Sequence, residues 1–99
     1  MKTLVLSVTL LAGGTQLANA TGLHTCESGD RANWQSSDTL QQKLIDEGWK
    51  VRKIKEDGGC YEVYGTTPEG QRGEAYFHPE TLELEIVARR GKILFKRSE

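Results

Sequence analysis

Three closely spaced turn signals constrain the second half of this chain more than any other feature. Glu56-Asp57-Gly58-Gly59, Thr67-Pro68-Glu69-Gly70 and His78-Pro79-Glu80-Thr81 punctuate stretches in which apolar and polar residues alternate. The glycine pair marks a tight hairpin, and Thr67–Gly70 has Pro and Gly where a type I turn takes them. Between the turns, Trp49 and Val51 alternate with Lys50 and Arg52, and Ile54 falls out of phase, as at a bulge or a strand end. Cys60-Tyr61-Glu62-Val63-Tyr64 is a second strand, and Arg72–His78 a third with Ala75 and Phe77 on one face. In a fourth, Leu82, Leu84 and Ile86 alternate with Glu83 and Glu85. Turns this short join only antiparallel neighbours. After Arg89-Arg90-Gly91, Ile93-Leu94-Phe95 either extends the sheet or packs back on it, and the residues leave both open.

One helix precedes the strands. Ser36 and Ser37 offer an N-cap, Asp38 suits the first turn, and Gly48 is a C-terminal stop. Leu40, Leu44 and Ile45 are assigned to its apolar side, with Trp34 folding back as a hydrophobic staple. The expected fold is α+β: one amphipathic helix on an antiparallel sheet of three to four strands, after a cleaved signal peptide. Its covered face holds Trp49, Val51, Tyr61, Val63, Ala75, Phe77, Leu82, Leu84 and Ile86. Its wet face holds Lys50, Arg52, Glu62, Tyr64, Glu74, Tyr76, Glu83 and Glu85.

The first twenty residues carry a secretion signal: Lys2, a short apolar run over 4–12, and Ala18-Asn19-Ala20 with cleavage after Ala20. The run is too short to span a bilayer. The expected location is periplasmic or secreted. Residues 21–33 form an irregular N-terminal segment, 34–88 the folded unit and 89–99 a basic tail. Without Lys2 the chain keeps 12 of its 13 basic residues against 14 acidic ones, which gives no electrostatic case for nucleic acid. The remaining 79 residues form a domain that usually needs a staple.

Trp34, the helix ending in Gly48-Trp49, Gly59-Cys60-Tyr61-Glu62-Val63-Tyr64-Gly65 and Glu74-Ala75-Tyr76-Phe77-His78-Pro79-Glu80-Thr81 resemble a PepSY domain. The resemblance runs from Cys26 to Ile86 and is narrowest to small secreted stand-alone proteins of that family with a cysteine pair. It implies one helix on an antiparallel sheet, a role in restraining peptidases where the domain is a propeptide, and no catalytic motif. Two positions depart from the family pattern: His78 stands where Asp is usual, and Leu82 where Gly is usual.

Cys26 and Cys60, 34 residues apart, are expected to form the staple, contributing about 3–4 kcal/mol by loop closure. The alternative is a metal set of His24, Cys26, Cys60 and His78; otherwise no cofactor is expected. Tyr64 and Tyr76, flanked by Glu62 and Glu74 opposite Lys50 and Arg52, form either a cross-strand pair or an exposed platform for a partner. Arg89, Arg90, Lys92, Lys96 and Arg97 give a basic end whose membrane contact is at most peripheral. The chain has no Gly-x-Ser-x-Gly, no His-Glu-x-x-His and no phosphate-cradling loop, and Glu62 and Glu74 have no evident cleft to shift them, so no enzyme is expected. The function expected is a non-enzymatic regulatory module that binds another envelope or secreted protein, a peptidase among the candidates. The alternatives are a metal- or small-ligand-binding accessory protein for envelope redox proteins, and a purely structural protein.

Overall fold

The computed structural model describes residues 23–98; the expected signal segment, residues 1–20, lies outside them. Helix α1 spans Ser37–Asp46. The Ser36 hydroxyl accepts the Thr39 amide at 3.1 Å, and Asp38 sits at the positive end of the helix dipole. At the far end Gly48 takes φ 99°. Its amide donates to Ile45, and the Trp49 amide donates to Leu44 at 2.9 Å, closing a Schellman motif. Leu40 and Leu44 are fully buried, whereas Ile45 is 47% exposed. Ile45 lies about 140° around the helix from Leu40, outside a stripe this narrow.

Five strands follow rather than three or four: β1 Lys50–Asp57, β2 Cys60–Thr66, β3 Arg72–Phe77, β4 Leu84–Arg89 and β5 Lys92–Lys96. They form one antiparallel sheet in the order β1-β2-β3-β4-β5. Ile93, Leu94 and Phe95 therefore join the sheet, and the middle of the expected basic tail is its last strand. Each tight turn falls where its residues demand, with Gly70 N–H donating to Thr67 at 2.9 Å in the second.

The helix-side core joins Leu40 and Leu44 to Tyr61, Val63, Ala75, Phe77, Leu82 and Val87, with Trp34, Trp49, Val51, Ile54 and Leu84 packed around it. Trp34 reaches this core by an edge-on contact with Tyr61, ring centroids 5.7 Å apart. Ile86 was expected here and is not. Leu84 pairs with Phe77 and Ile86 with Tyr76, so Glu85 is an extra, bulged residue, and the bulge turns Ile86 to the other face. A second bulge between Val51 and Lys53 accounts for the phase break at Ile54.

On that other face Ile86 meets Cys26, Cys60, Tyr76 and Leu23 in a second buried cluster. The expectation of one fully wet sheet face is corrected here. The N-terminal segment crosses it, tied by the Cys26–Cys60 disulfide (Cα–Cα 5.1 Å) and by the Cys26 amide donating to Gly58 at 2.9 Å. The Gly58–Gly59 turn needs glycine twice over. Both residues have positive φ, and a Cβ on either would press on the His24 or Cys26 carbonyl.

The turn between β3 and β4 holds both positions that depart from the expected pattern. His78 Nδ1 accepts the amides of Glu80 (3.1 Å) and Thr81 (3.4 Å), the role an aspartate side chain plays in a turn. Leu82 adopts φ 64°, the left-handed region that glycine takes freely, yet its side chain is buried in the core. Removing a buried leucine costs about 2–5 kcal/mol, more than the roughly 1–2 kcal/mol of left-handed strain it relieves. Leu82→Gly is therefore expected to lower the urea midpoint of unfolding; a midpoint equal to or above the parent's would contradict this balance.

Candidate functional site

The centre of the second face is built from β2 and β3. Glu62 stands across from Lys55 on one side and Tyr76 on the other; Tyr64 stands between Lys53 and Glu74. Alternation along both strands puts these side chains on the side away from the helix. Lys50 and Arg52 were expected opposite the carboxylates. Instead Lys50 pairs with Thr66, and the bulge leaves Arg52 without a cross-strand partner, so Lys53 and Lys55 take the place.

Tyr76 and Glu62 are both fully buried, which corrects their place on a wet face and leaves Tyr76 outside any exposed platform; Tyr64 and Glu74 are half-buried. His24 lies edge-on to the Tyr76 ring at 6.1 Å, and the Tyr76 hydroxyl donates to buried Asp57 at 3.1 Å. Lys53 and Lys55 each hold an ammonium 5.7 Å from the Tyr64 ring centroid, and Lys55 Nζ is 3.8 Å from Glu62 Oε1. Neither Glu62 oxygen, nor Glu74 Oε1, has a hydrogen-bond partner among the described residues. Burial pushes the Glu62 carboxyl above the ordinary range and Glu74 adds to this, while the Tyr64 and Tyr76 hydroxyls pull part of it back. Burial and Glu62 together push the Tyr64 hydroxyl up. Glu62 is thus a buried, shifted carboxylate, against the expectation of an unperturbed one.

At one end of this face a depression of about 230 Å³ is lined by Tyr64, Glu74, Arg52, Arg72, Arg89 and Arg90. The structure therefore brings Tyr64, Glu74, Arg89 and Arg90 together. None of the four arginines has an ion-pair partner among the described residues. Gly65 and Gly73 pair inside the strands beside it, not at turns. A Cβ at either would run into the carbonyl oxygen of Lys50 or Ala88, so the backbones approach closely there. From this end β5 runs along the open edge of the sheet, with Ile93, Leu94 and Phe95 37–45% exposed. The opposite edge, β1, carries Lys50, Arg52, Lys53 and Lys55, charges that discourage strand addition.

At the other end a depression of about 390 Å³ is lined by His24, Glu27, His78, Glu85, Lys96 and Arg97, among others. His24 Nε2 is 2.6 Å from Glu85 Oε1, which is 3.7 Å from Cys26 Sγ. His78 does not join the cysteines as the metal alternative required: its Nε2 donates to the Glu27 carbonyl at 3.2 Å while Nδ1 holds the turn. Asp57, Lys53, Lys55 and Glu85 were absent from the sequence-derived site. Glu85 reads as one more polar residue in an alternating strand, and only the bulge aims it at His24.

The sequence profile of the family described as peptidase propeptide and YPEB domain matches residues 2–89, and the chain belongs to that family. Searches of curated proteins and of solved structures return no match.

The buried carboxylate makes a pH-dependent stability test. Because the folded-state carboxyl titrates above its ordinary 4.5, folding disfavours the ionised form. The cost is present in full above the folded pKa and is relieved as pH falls through it. Glu62→Gln is expected to raise the thermal midpoint at neutral pH, with the gain shrinking toward acid. A loss at neutral pH, or a gain independent of pH, would contradict the assignment.

Proposed function

We propose that this member of the peptidase propeptide and YPEB domain family is a non-enzymatic, secreted or periplasmic binding module that restrains a peptidase or another envelope protein through the β5 edge. The observation that carries the proposal is the combination at that edge. An edge strand presents unpaired amides and carbonyls to any extended segment beside it. Here the strand also exposes Ile93, Leu94 and Phe95 and starts beside the unpaired Arg89 and Arg90. A partner segment with apolar side chains and an acidic end matches both features. The family supports the inhibitory direction, since its domains act as propeptide or regulatory modules rather than catalysts. Among the described residues no helix is long and apolar enough to cross a membrane.

The Arg97 amide donates inward to Glu85 at 2.8 Å, so alternation directs the Lys96 amide outward. Lys96→Pro removes that outward donor while sparing the β4 ladder. With a photo-crosslinker at Leu94, the parent protein is expected to capture one dominant envelope partner, and Lys96→Pro to lose it without a change in thermal midpoint. If the captured partner is a peptidase, its hydrolysis of a peptide substrate falls on titration with the parent. Capture unaffected by Lys96→Pro, or products only from a crosslinker at Tyr64, would overturn the edge.

A further inference from the structure

We infer that the Cys26–Cys60 bond and a divalent metal are two alternative occupants of one site, with His24, Cys26, Cys60 and Glu85 as the ligands to a thiophilic cation such as Zn²⁺. One ligand atom from each of His24, Cys26 and Cys60 lies within 4.8 Å of the others. Glu85 Oε1 stands 2.6 Å from His24 Nε2 and 3.7 Å from Cys26 Sγ. Around a tetrahedral zinc with bonds of about 2.0–2.3 Å, neighbouring ligands stand about 3.3–3.8 Å apart. His24, Cys26 and Cys60 are within reach of that spacing. To complete it the bonded sulfurs must part, His24 and Glu85 must open by about 0.7 Å, and Glu85, now beside Cys26, must turn toward Cys60.

Two thiolates, an imidazole and a carboxylate are a donor set that zinc accepts. The site has a way in, since His24 and Glu85 line the depression of about 390 Å³. His24 and Cys26 sit on the arm, Cys60 begins β2 and Glu85 is the bulge of β4. A metal would therefore tie the arm to the same face that the disulfide does.

The exchange balances simply. A dithiol reductant gives two electrons and two protons to the Sγ–Sγ bond and becomes a disulfide, leaving Cys26 and Cys60 as thiols. Binding Zn²⁺ then releases both thiol protons. In the return direction a small-molecule disulfide takes two electrons from the two thiolates and leaves as two thiols, the metal departs and the Sγ–Sγ bond re-forms, so in the oxidised protein no thiolate remains to bind.

Cobalt titration of the purified protein tests this, with a phosphine as reductant. The reduced parent is expected to bind one Co²⁺ with thiolate charge-transfer bands and the intense visible bands of tetrahedral cobalt, and to give it up to Zn²⁺. The oxidised parent is expected to give neither. His24→Ala and Glu85→Gln each weaken binding about tenfold or more, and His78→Ala leaves it unchanged. Far-UV circular dichroism of the reduced protein is expected to stay native with zinc and to lose signal on chelation. Absence of a tetrahedral spectrum in the reduced parent would overturn the site. So would affinities that His24→Ala and Glu85→Gln leave unchanged, which is what cysteines of an unfolded chain would give.

Discussion

The Cys26–Cys60 bond is the constraint on which the rest of the structure depends. Without it the start of the N-terminal arm keeps one backbone bond to the β1–β2 turn at Gly58 and the His24–Glu85 contact, and the rest hangs on exposed bonds from Glu27, Gly29 and Arg31. With it, Leu23, His24 and Cys26 lie over Tyr76 and Ile86, and a sheet face that would otherwise be wet gains a second small core. The arm continues round the end of the sheet. Gln35 donates its amide to Pro79, and the Tyr61 hydroxyl donates to the Gln35 carbonyl at 2.7 Å, so the same segment also closes the helix-side core. One covalent tie, worth about 3–4 kcal/mol by loop closure, thereby orders contacts on both faces of a domain too small to spare either.

Much of the fold was legible because its signals are local. Ser36 caps the helix, Gly48 stops it, and the glycine and proline turns set antiparallel neighbours. The disulfide followed from two cysteines in a small domain expected to be exported. What failed was alternation carried across bulges. Ile86 reads as the next inward residue after Leu84, but an unpaired Glu85 between them reverses the face, and nothing in the local pattern marks that. The fifth strand is not legible because Ile93-Leu94-Phe95 is a short apolar run without alternation, which its bulge at Leu94 explains.

The candidate site was legible in its members and not in its environment. Tyr64, Glu74, Arg89 and Arg90 do meet around one depression. Tyr76 and Glu62 were given to solvent because period-two reasoning knows only two faces, not what lies over each. Burial of Glu62 follows from tertiary contacts, and so does its raised carboxyl pKa. Lys55, offset by the bulge in β1, is the cation nearest to it. The two departures from the family pattern are the reverse case. His78 and Leu82 depart from the expected pattern, yet each has a place in this turn, an imidazole nitrogen that accepts two amides and a buried leucine in a left-handed conformation.

The surface divides sharply: one face is covered by a tethered arm, and one edge is left open. Hydroxyl-radical footprinting read by mass spectrometry tests that division directly, because side-chain oxidation follows exposure. In the disulfide-intact protein Tyr76 should be protected while Phe95 reacts readily, and reduction of the disulfide in the absence of metal should raise the reactivity of Tyr76. Equal reactivity of Tyr76 and Phe95 before reduction would contradict the account.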